Sequence, residues 1–307
     1  MSAGGTLVVG SGFVGTAVAR RLAAGGEPVA VASRHRPGHL PDVRGVGWHA
    51  LDATEREACA RLVARLGPRR IVLVHGPSDV TWCEEHPDLA VSAHTAAAAH
   101  FAALAGGARL VMISTDNVFD GSRPDNAEDA PVSPANAYGR AKLRAEEIVL
   151  GAAADAVVLR VSLVYGHEPA EAAKWLNFFA ACAHRLLRGE SLTVPQDQWT
   201  TPVLVDDVAE VTAAVLHAGA PLPPVLHLGG PDRVSRAVWA STVAEALGAP
   251  PRLVVPVPRA ATRYASRPEN ACLTSSLLGR LPATRSIAVR GVREGARYLA
   301  PAFTAAR

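Results

Sequence analysis

The sequence predicts an α/β fold: a doubly wound parallel sheet carrying a smaller α/β lobe. Three observations lead there. Short β-branched runs alternate with longer Ala-, Leu- and Arg-rich stretches up to about residue 166, the pattern of strands joined by crossover helices. The runs are continuously apolar rather than alternating, as strands covered on both faces must be. Between the first run and the first helical stretch, "VVGSGFVG" (Val8–Gly15) places three glycines at a strand-to-helix turn.

Each element follows from local signals. Thr6–Gly10 is a strand, and Phe13–Ala24 is a helix stopped by Gly25-Gly26. Pro28–Ser33 is the second strand. Thr54–Leu66 is a helix with Thr54 as N-cap and Gly67-Pro68 as stop. Ile71–Gly76 is the third strand, Asp88–Ala105 an Ala-rich helix, Arg109–Ser114 the fourth strand, Ala135–Leu150 a helix and Ala156–Gly166 the fifth strand. Beyond Gly166 the pattern loosens. Helices are expected at Lys174–Gly189, Asp206–Ala218, Ser235–Leu247 and Gly291–Leu299, with strands at Leu192–Val194 and Val225–Gly230. Residues 249–285, rich in Pro and Arg, read as mostly irregular.

Composition narrows the function classes. The 307 residues are 49% hydrophobic and 19% charged, enough apolar material for a large core. Net charge is +3 without a Lys/Arg run, which argues against nucleic-acid binding. Cys59, Cys83, Cys182 and Cys272 are far apart and form no C-x-x-C pair, so neither a metal site nor a redox dithiol is signalled. No leader pattern and no apolar run of membrane-spanning length is present, and a cytoplasmic location is expected.

Gly10, Gly12 and Gly15 have G-x-G-x-x-G spacing directly before a helix opened by Phe13 and Val14. In that context the first glycine permits a tight turn, the second lets backbone approach a pyrophosphate, and the third lets helix pack on strand. The helix N-terminus adds N–H groups and positive dipole for the phosphates. The second strand ends in Ser33-Arg34-His35-Arg36 and lacks the carboxylate that would hold a ribose 2′-hydroxyl. Hydroxyl followed by guanidinium suits a 2′-phosphate, so NADP(H) is favoured over NAD(H). Asp52 could face the adenine or cap a helix, and His75 and Gly76 are assigned to the cofactor edge. This reading makes residues 1–166, with a return segment at about 203–230, an NADP-binding Rossmann-type domain. Residues 167–202 and 231–307 form a substrate-binding lobe.

"NAYGRAKLRAEE" puts Tyr138 and Lys142 four residues apart on one helix face. An ammonium beside a phenol lowers its pKa and makes it a proton donor to a carbonyl oxygen being reduced. Glycine loop, hydroxyl at the end of the fourth strand and Tyr-x-x-x-Lys resemble the layout of the extended short-chain dehydrogenase/reductases. Within them, "STDNVFDG" (Ser114–Gly121) resembles the "STDYVFDG" of the dTDP-4-dehydrorhamnose reductase family. "LRVSLVYG" (Leu159–Gly166), the stretch Asn177–Pro202 and "RPENACLTSSLL" (Arg267–Leu278) resemble further segments of that family in order.

The resemblance implies catalytic roles for Thr115, Tyr138 and Lys142. It implies substrate contacts for Thr115, Asp116, Asn117, Asn177, Gln198 and Trp199, with Arg185, Arg188 and Arg267 as diphosphate candidates. The implied activity is NAD(P)H-dependent reduction of a keto group, at C4, on a nucleotide-linked deoxysugar. Several substrate-side positions depart from the family: Asn117 for its Tyr, Leu163 for its Trp, Ser92 for its Asn, Thr274 for its Asp, and "HGPSD" (His75–Asp79) after the third strand. These departures suggest an altered sugar. The alternatives are an epimerase, a dehydratase, against which Asn117 argues for want of a carboxylate, or a non-catalytic NADP-binding regulatory subunit, such as the beta subunit of methionine adenosyltransferase. No metal is implied. Oligomeric state is left open, with a homodimer entertained.

Overall fold

A computed structural model describes residues 4–37, 44–171, 176–219, 221–262 and 267–305. The chain runs β1 (Thr6–Val9), α1 (Phe13–Ala24), β2 (Val29–Ser33), β3 (Val46–Ala50), α2 (Arg56–Leu66), β4 (Arg70–Leu73), α3 (Val80–Glu85), α4 (Pro87–Leu104), β5 (Arg109–Thr115), α5 (Ala137–Ala152), β6 (Ala156–Val161) and β7 (Val164–Tyr165). It continues through α6 (Phe178–Leu187), β8 (Leu192–Pro195), β9 (Trp199–Thr200), β10 (Val203–Leu204), α7 (Val205–His217), β11 (Val225–Leu228), β12 (Val234–Ser235), α8 (Arg236–Leu247), β13 (Val254–Val257), β14 (Asn270–Ala271) and α9 (Val292–Thr304).

Seven strands form one sheet in the order β11-β6-β5-β4-β1-β2-β3, and every neighbouring pair is parallel. The doubly wound α/β reading is therefore correct. Alternate strand residues feed two cores. Val8, Val72, Val111 and Leu159 pack towards α1 and α7 through Val18, Leu22, Val208 and Val211. Leu7, Ile71, Leu110 and Val158 pack towards α2, α4 and α5 through Leu62, Phe101, Ala145 and Val149. Burial of both faces is why these strands read as unbroken apolar runs. A third core, built on Tyr165, Phe179, Leu186, Leu204, Trp239 and Phe303, joins α6, α8 and α9. From β1 the chain turns to β2 on one side and later to β4 on the other, which opens a crevice at the C-terminal strand ends.

Several boundaries differ from the sequence reading. β3 was not foreseen: "VGWHA" is a half-exposed edge strand whose Gly and His mask its character. The third expected strand stops at Leu73, because Gly76 bends the chain away at φ +119°. The six-residue α3 is too short to show a period, yet Asp79 caps it by accepting from the backbone N–H of Thr81 and Trp82. The fifth expected strand is two: β6 stays in the main sheet, while β7 leaves it to pair with β10. Thr54 caps nothing; α2 starts at Arg56, and Thr54 instead donates its N–H and hydroxyl to Asp52 Oδ1 at 2.9 and 2.7 Å. α6 starts at Phe178 behind Asn177, and Lys174 lies outside the described residues. The stretch read as irregular contains β13, paired with β8, and β14, paired with β9.

Candidate active site

The glycine loop leaves β1 at the crevice. Gly10 has φ +114°, and a Cβ there would lie 2.9 Å from the Val74 carbonyl oxygen. A Cβ on Gly15 would lie 2.1 Å from the Gly10 carbonyl oxygen, so only glycine lets α1 close on the turn. At Gly12 a Cβ would meet no heavy atom within 4 Å. The space in front of Gly12, and an α1 N-terminus capped by no side chain and flanked by no acidic residue of the first turn, suit a diphosphate. Gly15→Ala is expected to cost about 1–3 kcal/mol of stability through overpacking and to abolish dinucleotide binding; thermal melting and a fluorescence titration with NADPH read both.

The far end of this groove is set by three loops. The Ser33 hydroxyl donates to the His35 carbonyl at 2.8 Å and accepts from Trp48 Nε1 at 3.0 Å. These bonds fix the Ser33 hydroxyl at the start of the loop that carries Arg34. Arg34 is exposed. The Asp52 carboxyl is held low by its bonds from Thr54 and, further, by the Arg34 charge. Burial and the same guanidinium lower the His75 imidazole. Arg34, Asp52 and His75 therefore share one neighbourhood.

Gly76, at φ +119°, passes over the His94 ring so closely that a Cβ would overlap it, 2.1 Å from Cε1. His94 is buried on α4, with Nε2 3.0 Å from the Pro77 carbonyl. Burial and then the charge of Lys142 push its pKa down to about 3, so it is neutral. Its ring meets that of Tyr138 edge-on at 5.9 Å. The sequence gives no sign of this contact, since a lone His carries no signal of its neighbours.

At the end of β5, Thr115 is buried. Its Oγ1 donates to Asp116 Oδ1 at 3.1 Å and accepts from the Asn117 N–H and Nδ2 at 3.2 and 3.1 Å. The Tyr138 hydroxyl, from the first turn of α5, faces the Thr115 side chain closely enough to feel it electrostatically. Lys142, one turn on, is buried and donates to the Ile113 carbonyl at 2.6 Å. Burial lowers its pKa to about 8, opposed by the charge of Glu146. Burial, then the Asp116 carboxylate, raise the Tyr138 pKa, against the nearby Thr115 side chain. The lowering expected from Lys142 does not show: burial and the Asp116 carboxylate set the direction, and the phenol keeps its proton at neutral pH.

Asp116 is buried and accepts from Ser162 Oγ at 3.1 Å and Asn117 Nδ2 at 2.8 Å. Burial raises its pKa to about 6. The Asn117 Oδ1 accepts from Asn136 Nδ2 at 2.9 Å, and Asn136 caps α5 by accepting from the Gly139 N–H at 2.8 Å. Asn117 thus ties the end of β5 to the start of α5 with both ends of its amide, instead of presenting it outward.

Of the other substrate-side expectations, Asn177 caps α6 and donates to Glu168 and the Gly166 carbonyl. Gln198 is buried, accepting from Arg236 Nε at 2.7 Å and donating to the Pro268 carbonyl at 3.2 Å. Trp199 is half-buried beneath the Arg233 guanidinium, 4.2 Å from its ring centroid. Arg185 and Arg188 pair with Glu190 at the surface. Arg236, which nothing in the sequence marked, is buried over the Phe178 ring and acts on Asp116. A cavity of about 520 Å³ beyond β11, lined in part by Gly229, Gly230, Arg233 and Arg285, includes none of the triad. Among the described residues no group of three or more His, Cys, Asp or Glu could hold a metal ion, and no helix is long and apolar enough to cross a membrane.

The family described as RmlD substrate binding domain matches residues 5–293. The chain belongs to that family. Among the relatives is a "Probable low-salt glycan biosynthesis reductase Agl14" from Haloferax volcanii, 29% identical, the match covering 87% of this chain and 88% of the relative. The dTDP-4-keto-6-deoxy-D-glucose reductase of Streptomyces niveus is 33% identical over 68% of this chain and 72% of its own. Methionine adenosyltransferase 2 subunit beta of Danio rerio is 31% identical over 64% and 61%. In fold, the chain resembles the dTDP-4-dehydrorhamnose reductase of Bacillus anthracis in complex with NADP (TM-score 0.79, 21% identity, covering 97% and 99%). It also resembles the Thermus thermophilus UDP-glucose 4-epimerase complex with NAD (TM-score 0.81, 25% identity, 98% and 99%).

Proposed function

We propose that this RmlD-family chain reduces a keto group, at C4, of a nucleotide-linked deoxysugar with NADPH, Tyr138 giving the proton. The observation that carries the reading is the meeting of Thr115, Tyr138 and Lys142 at the end of β5, beside a glycine loop open at Gly12. Relatives named as reductases of nucleotide-linked keto-sugars support it. Residues 1–166 and 203–230 would hold the cofactor, and the remainder the sugar.

A bound nicotinamide dinucleotide supplies the hydride. The chain's own work is to bind, orient and protonate. As the carbonyl oxygen gains charge, the hydroxyls of Thr115 and Tyr138 stabilise it, and the Tyr138 proton moves onto it. The Lys142 ammonium then lies near the phenolate that remains. Neutral His94 holds the Tyr138 ring from the side without adding charge. Consumption of NADPH with a panel of 4-keto-6-deoxy nucleotide sugars tests the reading; no stoichiometric loss of the nicotinamide absorbance with any of them would overturn it.

The NADP preference rests on exposed Arg34 at the end of β2, where no carboxylate stands. Charge-assisted hydrogen bonds contribute about 1.5–3 kcal/mol, so Arg34→Ala is expected to weaken NADPH binding roughly tenfold or more. NADH binding should change little. Isothermal titration with both cofactors measures the difference.

A second reading, a non-catalytic NADP-binding regulatory subunit working in the cytoplasm, is favoured by the similarity to methionine adenosyltransferase 2 subunit beta. A stable hetero-complex in pull-downs, together with an unchanged phenotype for Tyr138→Phe, would support it over catalysis.

A further inference from the structure

Beneath the triad lies a buried polar chain that the reaction as described does not use. Glu146 stands one turn after Lys142 on the same face of α5 and is 2% exposed. Its carboxylate accepts from the Ser114 hydroxyl of β5. From β6 it accepts Arg160 Nη2 at 2.8 Å and Nε at 3.1 Å, a two-point ion pair. Arg160 Nη1 faces His227 Nε2 at 3.4 Å, and His227 Nδ1 faces the Asn126 carbonyl at 3.1 Å. Because the guanidinium can only donate, Nε2 must accept and Nδ1 must carry the hydrogen. The chain therefore ends in a neutral imidazole, and burial keeps it so.

Lys142 itself is faced by the Ile113 carbonyl from β5, by Glu146 from α5, by His94 from α4 and by His75 from the loop after β4. Burial disfavours the charged form of both histidines, and Tyr138 keeps its proton. Among the described residues, the ionised group next to Lys142 is Glu146, and Arg160 already holds that carboxylate. The composition is telling: the chain has two lysines, Lys142 and Lys174, against 29 arginines. An arginine at 142 could not release a proton under any working condition, whereas a buried lysine can.

We propose that Glu146 is a positioning residue for the reaction: it aims and charges Lys142 from below, and Arg160 and Ser114 set how much of its charge Lys142 receives. The kinetic consequence rests on the reductase reading; the charge relation itself belongs to the fold. Removing the carboxylate strips Lys142 of its counter-charge, and removing the guanidinium frees that carboxylate for Lys142. Opposite changes at two ends of one ion pair should therefore move Lys142 in opposite directions, which loss of a merely structural bond would not do.

Lysine labelled with 13C and 15N, in a Lys174→Arg background, leaves one lysine spectrum, that of Lys142, to be titrated by NMR without substrate. Glu146→Gln is expected to lower the Lys142 midpoint, and Arg160→Gln to raise it, each by about one pH unit. The alkaline limb of kcat/KM should follow in the same two directions. Shifts of the same sign, or no shift in folded variants, would overturn the proposal. Should a charge variant fail to fold, Ser114→Ala decides: an upward shift supports the relation, and none or a downward one overturns it. Paired shifts in a protein that reduces no keto-sugar would remove the reductase reading and keep the charge relation. Turnover with unmoved midpoints would do the reverse.

Discussion

Tyr138→Phe is expected to lower kcat by about 10²- to 10⁴-fold, the usual contribution of a positioned acid, while NADPH binds within about twofold of the parent. The geometry explains the asymmetry. The phenol oxygen is the atom that meets Thr115, and its ring is held by the His94 edge and by the packing of α5 on α4. Phenylalanine keeps the ring and removes only the proton. The Thr115 hydroxyl retains Asp116 and Asn117 as partners, so the strand end should stay in place. Single-turnover reduction and fluorescence titration of NADPH measure the two quantities. Full activity in the variant would remove Tyr138 from the reaction; lost cofactor binding with unchanged chemistry would reassign it to the cofactor.

Lys142→Met should abolish turnover and yet make the protein harder to melt. Burial lowers the lysine to about 8, below its ordinary value near 10.4. The folded state therefore releases a proton that the unfolded chain still holds between those two values, and stability rises with pH across that window. At neutral pH the buried ammonium is a cost that methionine, similar in length and apolar, does not carry. Glu146 keeps Arg160 and Ser114 when Lys142 is gone, so no carboxylate is left unpaired. A rise in Tm of a few degrees is expected, with activity lost. In the proposed reaction the protonated lysine is the competent form, so kcat/KM should decline as pH rises through about 8. A flat profile to pH 9.5, or a Tm that falls in Lys142→Met, would contradict the assignment.

The same two residues show how far the sequence reaches. Tyr-x-x-x-Lys spacing shows that Tyr138 and Lys142 share a helix face, because helical periodicity is local. It does not show the burial that raises the tyrosine's pKa, because burial is not a property of spacing. Asn117 shows the same limit. Its departure from the family residue was legible, but its amide turned out to link β5 to the cap of α5. Asn177 and Gln198 likewise serve a helix cap and a buried arginine. Arg236 could not be found at all, since Phe178 and Gln198 meet it only through the fold.

By itself, the sequence determined the α/β class, six of the seven main-sheet strands with most of their crossover helices, and the glycine turn, and it singled out the residues proposed as the triad. These are set by local periods and by residues whose chemistry has few substitutes, such as glycine where a Cβ would strike a carbonyl. The tertiary structure alone decided which of those groups are dry, which charges face each other and which hydroxyls already have partners. The physical reason is that desolvation and charge pairing depend on what long-range packing brings alongside. Ser114, Glu146, Arg160 and His227 span more than a hundred residues of chain and become one buried path only when β5, α5, β6 and β11 lie side by side.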